Sequence, residues 1–213
     1  MSDYQMTFQR YEIKYLLDPV SYQKLRQALQ DYVKVDNYGK TTICNIYYDT
    51  PDYRLIRTSL DKPVYKEKLR LRCYGTATDR STAFVELKKK YKGIVYKRRE
   101  DMSLKDAELF LNQGIQPEKH SQVMEELSSF CSYYPDLQPA MYLAYDRIAT
   151  YGVEDPSLRI TFDSKIRSRE DCLDLRAQAY GEELLPCGYR LMEIKIAGAS
   201  HYYPGIPGLY HCI

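Results

Sequence analysis

The stretch Lys66-Glu67-Lys68-Leu69-Arg70-Leu71-Arg72 decides how this chain reads. Successive side chains on a strand point to opposite faces. Lys66, Lys68, Arg70 and Arg72 therefore share one side, and Leu69 and Leu71 share the other. Two more stretches repeat the pattern. Phe84-Val85-Glu86-Leu87-Lys88-Lys89-Lys90 sets Glu86, Lys88 and Lys90 on one side, and Leu191-Met192-Glu193-Ile194-Lys195-Ile196 does the same with Glu193 and Lys195. Each offers a row of ions backed by a row of apolar groups. A sheet with one wet face satisfies any one of these strands alone. Their recurrence, with acids among the bases, also fits a barrel whose interior is charged and whose exterior packs on helices. Such a lumen would hold a highly charged anion and a metal ion.

The rest of the composition agrees with an ordered, anion-directed domain. At 213 residues and 44% hydrophobic content the chain is long enough for a sizeable core and is not a disordered polymer. The net charge of +2 conceals a strong local bias: residues 62–99 hold thirteen Lys or Arg against three acids. Clustered charge of one sign points to a polyanion partner better than a global balance does. There are 23 Tyr, 5 Phe and no Trp. A tyrosine ring with its polar tip suits the rim of a core, and its hydroxyl can donate to phosphate. The six cysteines are scattered without metal-ligand spacing, and only three histidines occur, so a structural zinc site is not expected. No signal peptide or transmembrane segment is visible, and reduced thiols in a cytoplasmic protein are the expectation.

Along the chain, Phe8–Leu17 reads as a strand, and Asp18-Pro19 opens a helix running to about Val33. A strand is expected over Thr41–Asp49 and a short helix over Asp52–Leu60. Val64–Tyr74, Ala83–Lys90 and Ile94–Asp101 follow as an antiparallel meander, with turns at Gly75-Thr76 and Lys92-Gly93. Ser103 caps a helix that Gly114 ends, and a second helix spans Ser121 to about Tyr133. Strands are expected at Met141–Tyr151, Leu158–Arg167 and Arg190–Ala197, with a weakly patterned polar segment over Ser168–Gly188. The expected fold is α+β in one domain over 1–213. It has an antiparallel, eight-stranded, closed or nearly closed β-barrel with helices packed outside. Residues 198–213 read as an irregular tail.

Phosphate chemistry needs positioning and charge neutralisation: Arg clamps oxygens in pairs, Lys acts as a point charge, and carboxylates hold a divalent metal. The strands supply bases at Lys14, Arg70, Arg72, Lys88, Lys97, Arg99, Arg147, Arg159 and Lys195. They supply acids at Glu12, Glu86, Asp163 and Glu193. Interleaved acids relieve repulsion between the bases and suit Mg²⁺ or Mn²⁺. For each pair the plainer alternative is a cross-strand ion pair on a solvated sheet. Glu193 and Lys195, flanked by Leu191, Met192, Ile194 and Ile196, sit on a strand that looks buried, where ions need partners or a ligand. There is no P-loop, dinucleotide fingerprint, HExxH or G-x-S-x-G motif, and no Ser or Cys nucleophile with a His base is supported.

Arg10-Tyr11-Glu12-Ile13-Lys14-Tyr15-Leu16-Leu17 resembles the opening of the VTC domain, the polyphosphate polymerase domain of the vacuolar transporter chaperone family. So do, in order, Lys68-Leu69-Arg70-Leu71-Arg72-Cys73-Tyr74-Gly75, Phe84-Val85-Glu86-Leu87-Lys88, Tyr145-Asp146-Arg147, Arg159-Ile160-Thr161-Phe162-Asp163 and Met192-Glu193-Ile194-Lys195. That family belongs with the triphosphate tunnel metalloenzymes and CYTH-type triphosphatases. The resemblance implies a tunnel barrel, ATP as phosphoryl donor, polyphosphate as product, and Mn²⁺ or Mg²⁺ as cofactor. By motif position Lys14, Arg70, Arg72, Lys88, Arg147 and Arg159 resemble its phosphate-binding bases, and Glu193 its metal-binding carboxylate. Lys14, Lys88 and Arg147 are taken as the catalytic candidates. Arg70, Arg72, Lys97, Arg99, Arg159 and Lys195 are the substrate-binding ones, and Glu193, Glu12 and Glu86 the metal-binding ones. The superfamily's Glu-x-Glu-x-Lys opening is here Arg10-x-Glu12-x-Lys14, which suits the VTC branch better than the triphosphatases. The resemblance implies a further helix and a basic last strand after Glu193, and no counterpart to them is expected here, since no Lys or Arg follows Lys195. The expected activity is extension of polyphosphate from ATP. The alternatives are hydrolysis of inorganic triphosphate or a nucleoside triphosphate, or non-catalytic binding of a polyanion. Specific nucleic-acid binding is not expected, because acids sit on the same faces as the bases.

Overall fold

Alternating strand patterns from separated stretches of sequence need partners for their backbone groups, and they find them in one another. The computed structural model describes residues 10–118 and 120–197; the expected tail over 198–213 lies outside them. The elements run β1 (Arg10–Leu17), α1 (Pro19–Ala28), β2 (Val33–Asp49), α2 (Arg54–Leu60), β3 (Tyr65–Tyr74), β4 (Thr82–Tyr91) and β5 (Ile94–Ser103). Then come α3 (Leu104–Gln113), α4 (Gln122–Tyr133), β6 (Gln138–Gly152), β7 (Arg159–Arg169), β8 (Glu182–Glu183) and β9 (Arg190–Ala197). The fold is α+β with a large antiparallel sheet. Its hydrogen-bonded order is β1-β9-β7-β6-β2-β3-β4-β5, with β8 beside β7. That order has two ends, so hydrogen bonding among the described strands does not close a barrel. No described helix is long and apolar enough to cross a membrane.

The chain forms two compact units. Among the described residues, the first is built from 10–41, 145–166 and 183–197, the second from 42–118, 120–144 and 167–182. In the first, β1 pairs with β9 and β9 with β7, both antiparallel. The apolar sides of these strands give Leu17, Ile160, Phe162, Met192 and Ile194, which bury against Leu25 and Leu29. Helix α1 starts where the sequence places it. The Asp18 carboxylate caps it by accepting from the Val20 and Ser21 amides, and Pro19 occupies its first turn. It ends at Ala28, earlier than expected, because Tyr32 and Val33 begin the approach to β2, where aromatic and β-branched residues fit better.

In the second unit β3, β4 and β5 form the expected meander, with β2 on the far side of β3. Leu69, Leu71, Val85 and Leu87 are fully buried and pack with Ile46, Leu104, Phe110, Leu127 and Tyr142 in one apolar cluster. Each such aliphatic side chain removed from water contributes roughly 1.5–3 kcal/mol. Ser103 and Ser121 cap α3 and α4 by accepting the Asp106 and Met124 amides, and Gly114 ends α3 at φ 71°, where a side chain would be strained. The polar segment after β7 is held by Leu175, buried in the core, by Arg176, paired with Asp79 and Glu108, and by Arg169. Arg169 stacks 3.4 Å from the Tyr142 ring centre and 4.1 Å from that of Tyr180. It also donates to the carbonyls of Cys172, Asp174, Gln178 and Tyr180. The described cysteines are free thiols, and burial pushes Cys73 up to about 12, which makes it inert at neutral pH.

Candidate functional site

In the second unit, register turns the period-two pattern into a charged patch. Arg70 on β3 lies opposite Tyr47 on β2 and Glu86 on β4, and Glu86 lies opposite Arg99 on β5. One step along, Arg72 faces Asn45; one step the other way, Lys68, Lys88 and Lys97 form a row. Glu86 is the hub, with 2% of its surface exposed. Arg70 donates from Nε to Glu86 Oε2 at 2.7 Å, and its Nη2 lies 2.6 Å from the same oxygen. Arg72 Nε stands 3.8 Å from that oxygen and donates to Asn45 Oδ1 at 2.8 Å. Lys97 Nζ at 2.8 Å and Arg99 Nε at 3.6 Å act on Oε1 as charges. Burial alone would raise the Glu86 carboxyl, but Arg70, Arg72 and Lys97 outweigh it and hold it at about 2. The Lys97 ammonium is itself lowered, by burial first, with Glu86 opposing.

One carboxylate thus organises four cations. Tyr47 accepts from Arg70 Nη1 at 3.1 Å, and Phe84 lies 3.5 Å beneath the Arg99 guanidinium, so both forks are aimed by neutral neighbours. The positive charge left over calls for an anion, and planar forks beside point-charge lysines match phosphate oxygens. Arg70, Arg72, Lys97 and Arg99 are brought together as expected. Lys88 shares their face as an exposed member of the lysine row. Glu86, expected among the metal-binding carboxylates, has its oxygens turned toward these four cations.

The first unit carries the second patch. Lys14 lies opposite Glu193, which lies opposite Thr161; Glu12 lies opposite Lys195, which lies opposite Arg159. Lys14 Nζ is 3.7 Å from Glu12 Oε1 and 4.0 Å from Glu193 Oε1, and Lys195 Nζ is 3.3 Å from Glu193 Oε2. Burial, then a hydrogen bond with Glu12, raise the Glu193 carboxyl above its ordinary range, while Lys195 and Lys14 oppose them. Arg147 is held in a fork by Asp163, Nε to Oδ1 and Nη2 to Oδ2, both at 2.7 Å. Arg159 is exposed and lies 5.6 Å from the Tyr151 ring centre. Lys40 pairs with Asp146 at 3.0 Å.

Two observations bear on a divalent metal. Glu12 and Glu193 are like-charged groups pressed together on adjacent strands, an arrangement that a cation relieves. The Thr161 hydroxyl beside Glu193 is buried without a hydrogen-bond partner. An all-oxygen donor set of this kind fits Mg²⁺ or Mn²⁺. Among the described residues no three His, Cys, Asp or Glu gather as a metal cluster, so the protein would supply few of the ligands.

Sequence reasoning missed Asn45, Tyr47 and Thr161. Each is neutral: Asn45 and Tyr47 sit on a strand whose alternation carries no charge signal, and Thr161 lies uncharged between Arg159 and Asp163, so only the register reveals them.

This topology recurs in solved structures. The chain is similar to a Bacillus halodurans protein named as a candidate adenylate cyclase, with 18% identity and a TM-score of 0.52 over 89% of this chain and 80% of that one. It is equally similar to an adenylyl cyclase candidate from Hippeastrum described as having a dominant triphosphatase activity: 18% identity, TM-score 0.51, 89% of this chain and 79% of that one. Likeness at this identity defines the fold class. Residues 9–207 match the model of the VTC domain, and the chain belongs to that family. A search of curated proteins found no match.

Proposed function

We propose that this VTC-domain protein is a metal-dependent phosphotransferase that uses ATP as phosphoryl donor and extends polyphosphate. The observation that carries this reading is the set of four cations around a buried carboxylate held at about 2, an arrangement that stays charged and pre-aimed before any anion arrives. Arg70 and Arg72 bind phosphoryl oxygens through their forks, Lys97 and Arg99 add charge, and Lys88 extends the positive row. Glu86 anchors those cations; we assign it this role in place of metal binding. In the other unit Lys14 and Lys195 hold phosphate oxygens, Arg159 adds a cation, and Arg147, fixed by Asp163, presents Nη1 outside its fork. Glu193 and Glu12 would hold Mn²⁺ or Mg²⁺, which when bound neutralises phosphate charge. The tunnel barrel expected from the family, with its strands closed around the anion, belongs to this proposal, as does a cytoplasmic setting.

A triphosphatase is the second reading, favoured by the activity named for the Hippeastrum protein. Incubation with ATP and Mn²⁺, followed by a polyphosphate gel and a free-phosphate assay, separates the two. A ladder of anionic polymer supports the polymerase, free phosphate without polymer supports the triphosphatase, and neither product overturns both.

A further inference from the structure

The second unit has a second polar site, on the opposite side of β3 from Arg70. A cavity of about 620 Å³ opens between β3, β4 and α4. Glu67 on β3 lines it and is 8% exposed. Its Oε2 accepts from the Tyr65 hydroxyl at 2.5 Å and its Oε1 from the Tyr134 hydroxyl at 2.8 Å. Burial, with the hydrogen bond to Glu67, raises both phenols well above their ordinary range, so both remain donors. Lys89 lies opposite Glu67 in register, yet among the described residues Glu67 forms no ion pair. A carboxylate this buried, satisfied by neutral hydroxyls alone, leaves a negative charge facing the cavity. The walls are aromatic as well as acidic: Tyr133 packs edge-on against Tyr134 at 4.8 Å, and Glu125 lies at the rim on the same face of α4. Tyrosine faces beside carboxylates select organic cations over anions and over neutral ligands. Nothing in the phosphate chemistry proposed above uses these groups.

We propose that this cavity is a binding site for an alkyl polyammonium ion, a polyamine, with one ammonium against Glu67 and its tyrosines and another near Glu125. The cavity is large enough for a small organic ligand, and with Glu126 held by Arg98 the two carboxylates Glu67 and Glu125 remain against the single lysine, Lys89, which matches a cation carrying more than one charge. The methylene chain between the charges rests on the Tyr133 and Tyr134 rings.

The test is calorimetric titration of the full chain at low salt with spermidine, and with pentanediol as a neutral control. Tyr133 and Glu125 are exposed, so Tyr133→Ala and Glu125→Gln keep the fold, whereas Glu67→Gln changes a buried group. The expected result is saturable binding of spermidine, no binding of pentanediol, and about a 10-fold loss of affinity in each rim variant. Arg70→Ala, which removes a phosphate-binding group, should leave spermidine affinity unchanged, so this site stands or falls apart from the phosphotransferase reading. No saturable heat with spermidine, or equal affinity in the protein and both rim variants, overturns the proposal.

Discussion

Glu86 is a buried acid stabilised by the bases around it, and its ionisation makes stability depend on pH. Its carboxyl titrates at about 2 in the fold against an ordinary value of 4.5. The folded value is the lower one, so the charge contributes stability above about 4.5 and that contribution is lost as pH falls toward 2. The full contribution is about 3 kcal/mol. Glu86→Gln should therefore destabilise the protein at pH 7, and the gap should narrow as pH falls from about 4.5 toward 3, where the unfolded glutamate takes up its proton before the folded one does. Urea melts of both proteins from neutral pH down to about 3 check this; a gap that stays constant would sink it. Glu193 behaves oppositely, because burial and Glu12 raise its carboxyl in the fold. Its charge costs stability above its folded pKa, and the cost is relieved as pH falls through that value. A divalent cation should relieve it as well. Mn²⁺ should raise the melting temperature of the native protein, and Glu193→Gln should abolish the increase. Equal shifts in both proteins would remove Glu193 from the metal site.

Elements with a strong local signal were legible, and those whose role depends on register were not. The meander β3-β4-β5 could be read because charge and apolar residues alternate on β3 and β4, and because Lys92-Gly93 marks the turn into β5. The caps could be read because Ser103 and Gly114 satisfy local backbone groups whatever the tertiary context. Ser103→Ala should lose one such hydrogen bond, from the Asp106 amide at 3.1 Å, and cost about 1 kcal/mol, measured as a lower urea midpoint with unchanged slope. No loss would mean that packing of Leu104 and Ala107 fixes α3 unaided. The first half of β2 was hidden because Val33 also continues the apolar stripe of Val20, Leu25 and Leu29, so helix and strand periods overlap there. Asn45 and Tyr47 on the second half of β2 could not be singled out from alternation, since their work is to hold Arg72 and Arg70 across a strand pair.

At the scale of the molecule, the sequence pointed toward a polyanion ligand because charge was concentrated in residues 62–99 while the total stayed near neutral. The positions of Glu86 and Glu193 show why the acids belong there: each lies on a charged face and permits bases to crowd it. This arrangement sets ligand preference. A triphosphate offers several charged groups to Arg70, Arg72, Lys97 and Arg99, whereas AMP offers one. Each added charge-assisted contact is worth roughly 1.5–3 kcal/mol, so ATP and inorganic triphosphate should bind at least about 100-fold more tightly than AMP. Rising salt should weaken the binding, since the exposed members of the cation set are screened. Arg70→Ala and Arg72→Ala should each reduce the preference, while Lys89→Ala, altering the opposite side of the same sheet, should not. Calorimetry with ATP, triphosphate, AMP and a single-stranded oligonucleotide distinguishes the classes of ligand. Equal affinity for ATP and AMP, with the oligonucleotide bound most tightly, would replace the phosphotransferase with a nucleic-acid binder, whose affinity comes from backbone charge and base stacking and is indifferent to a triphosphate terminus.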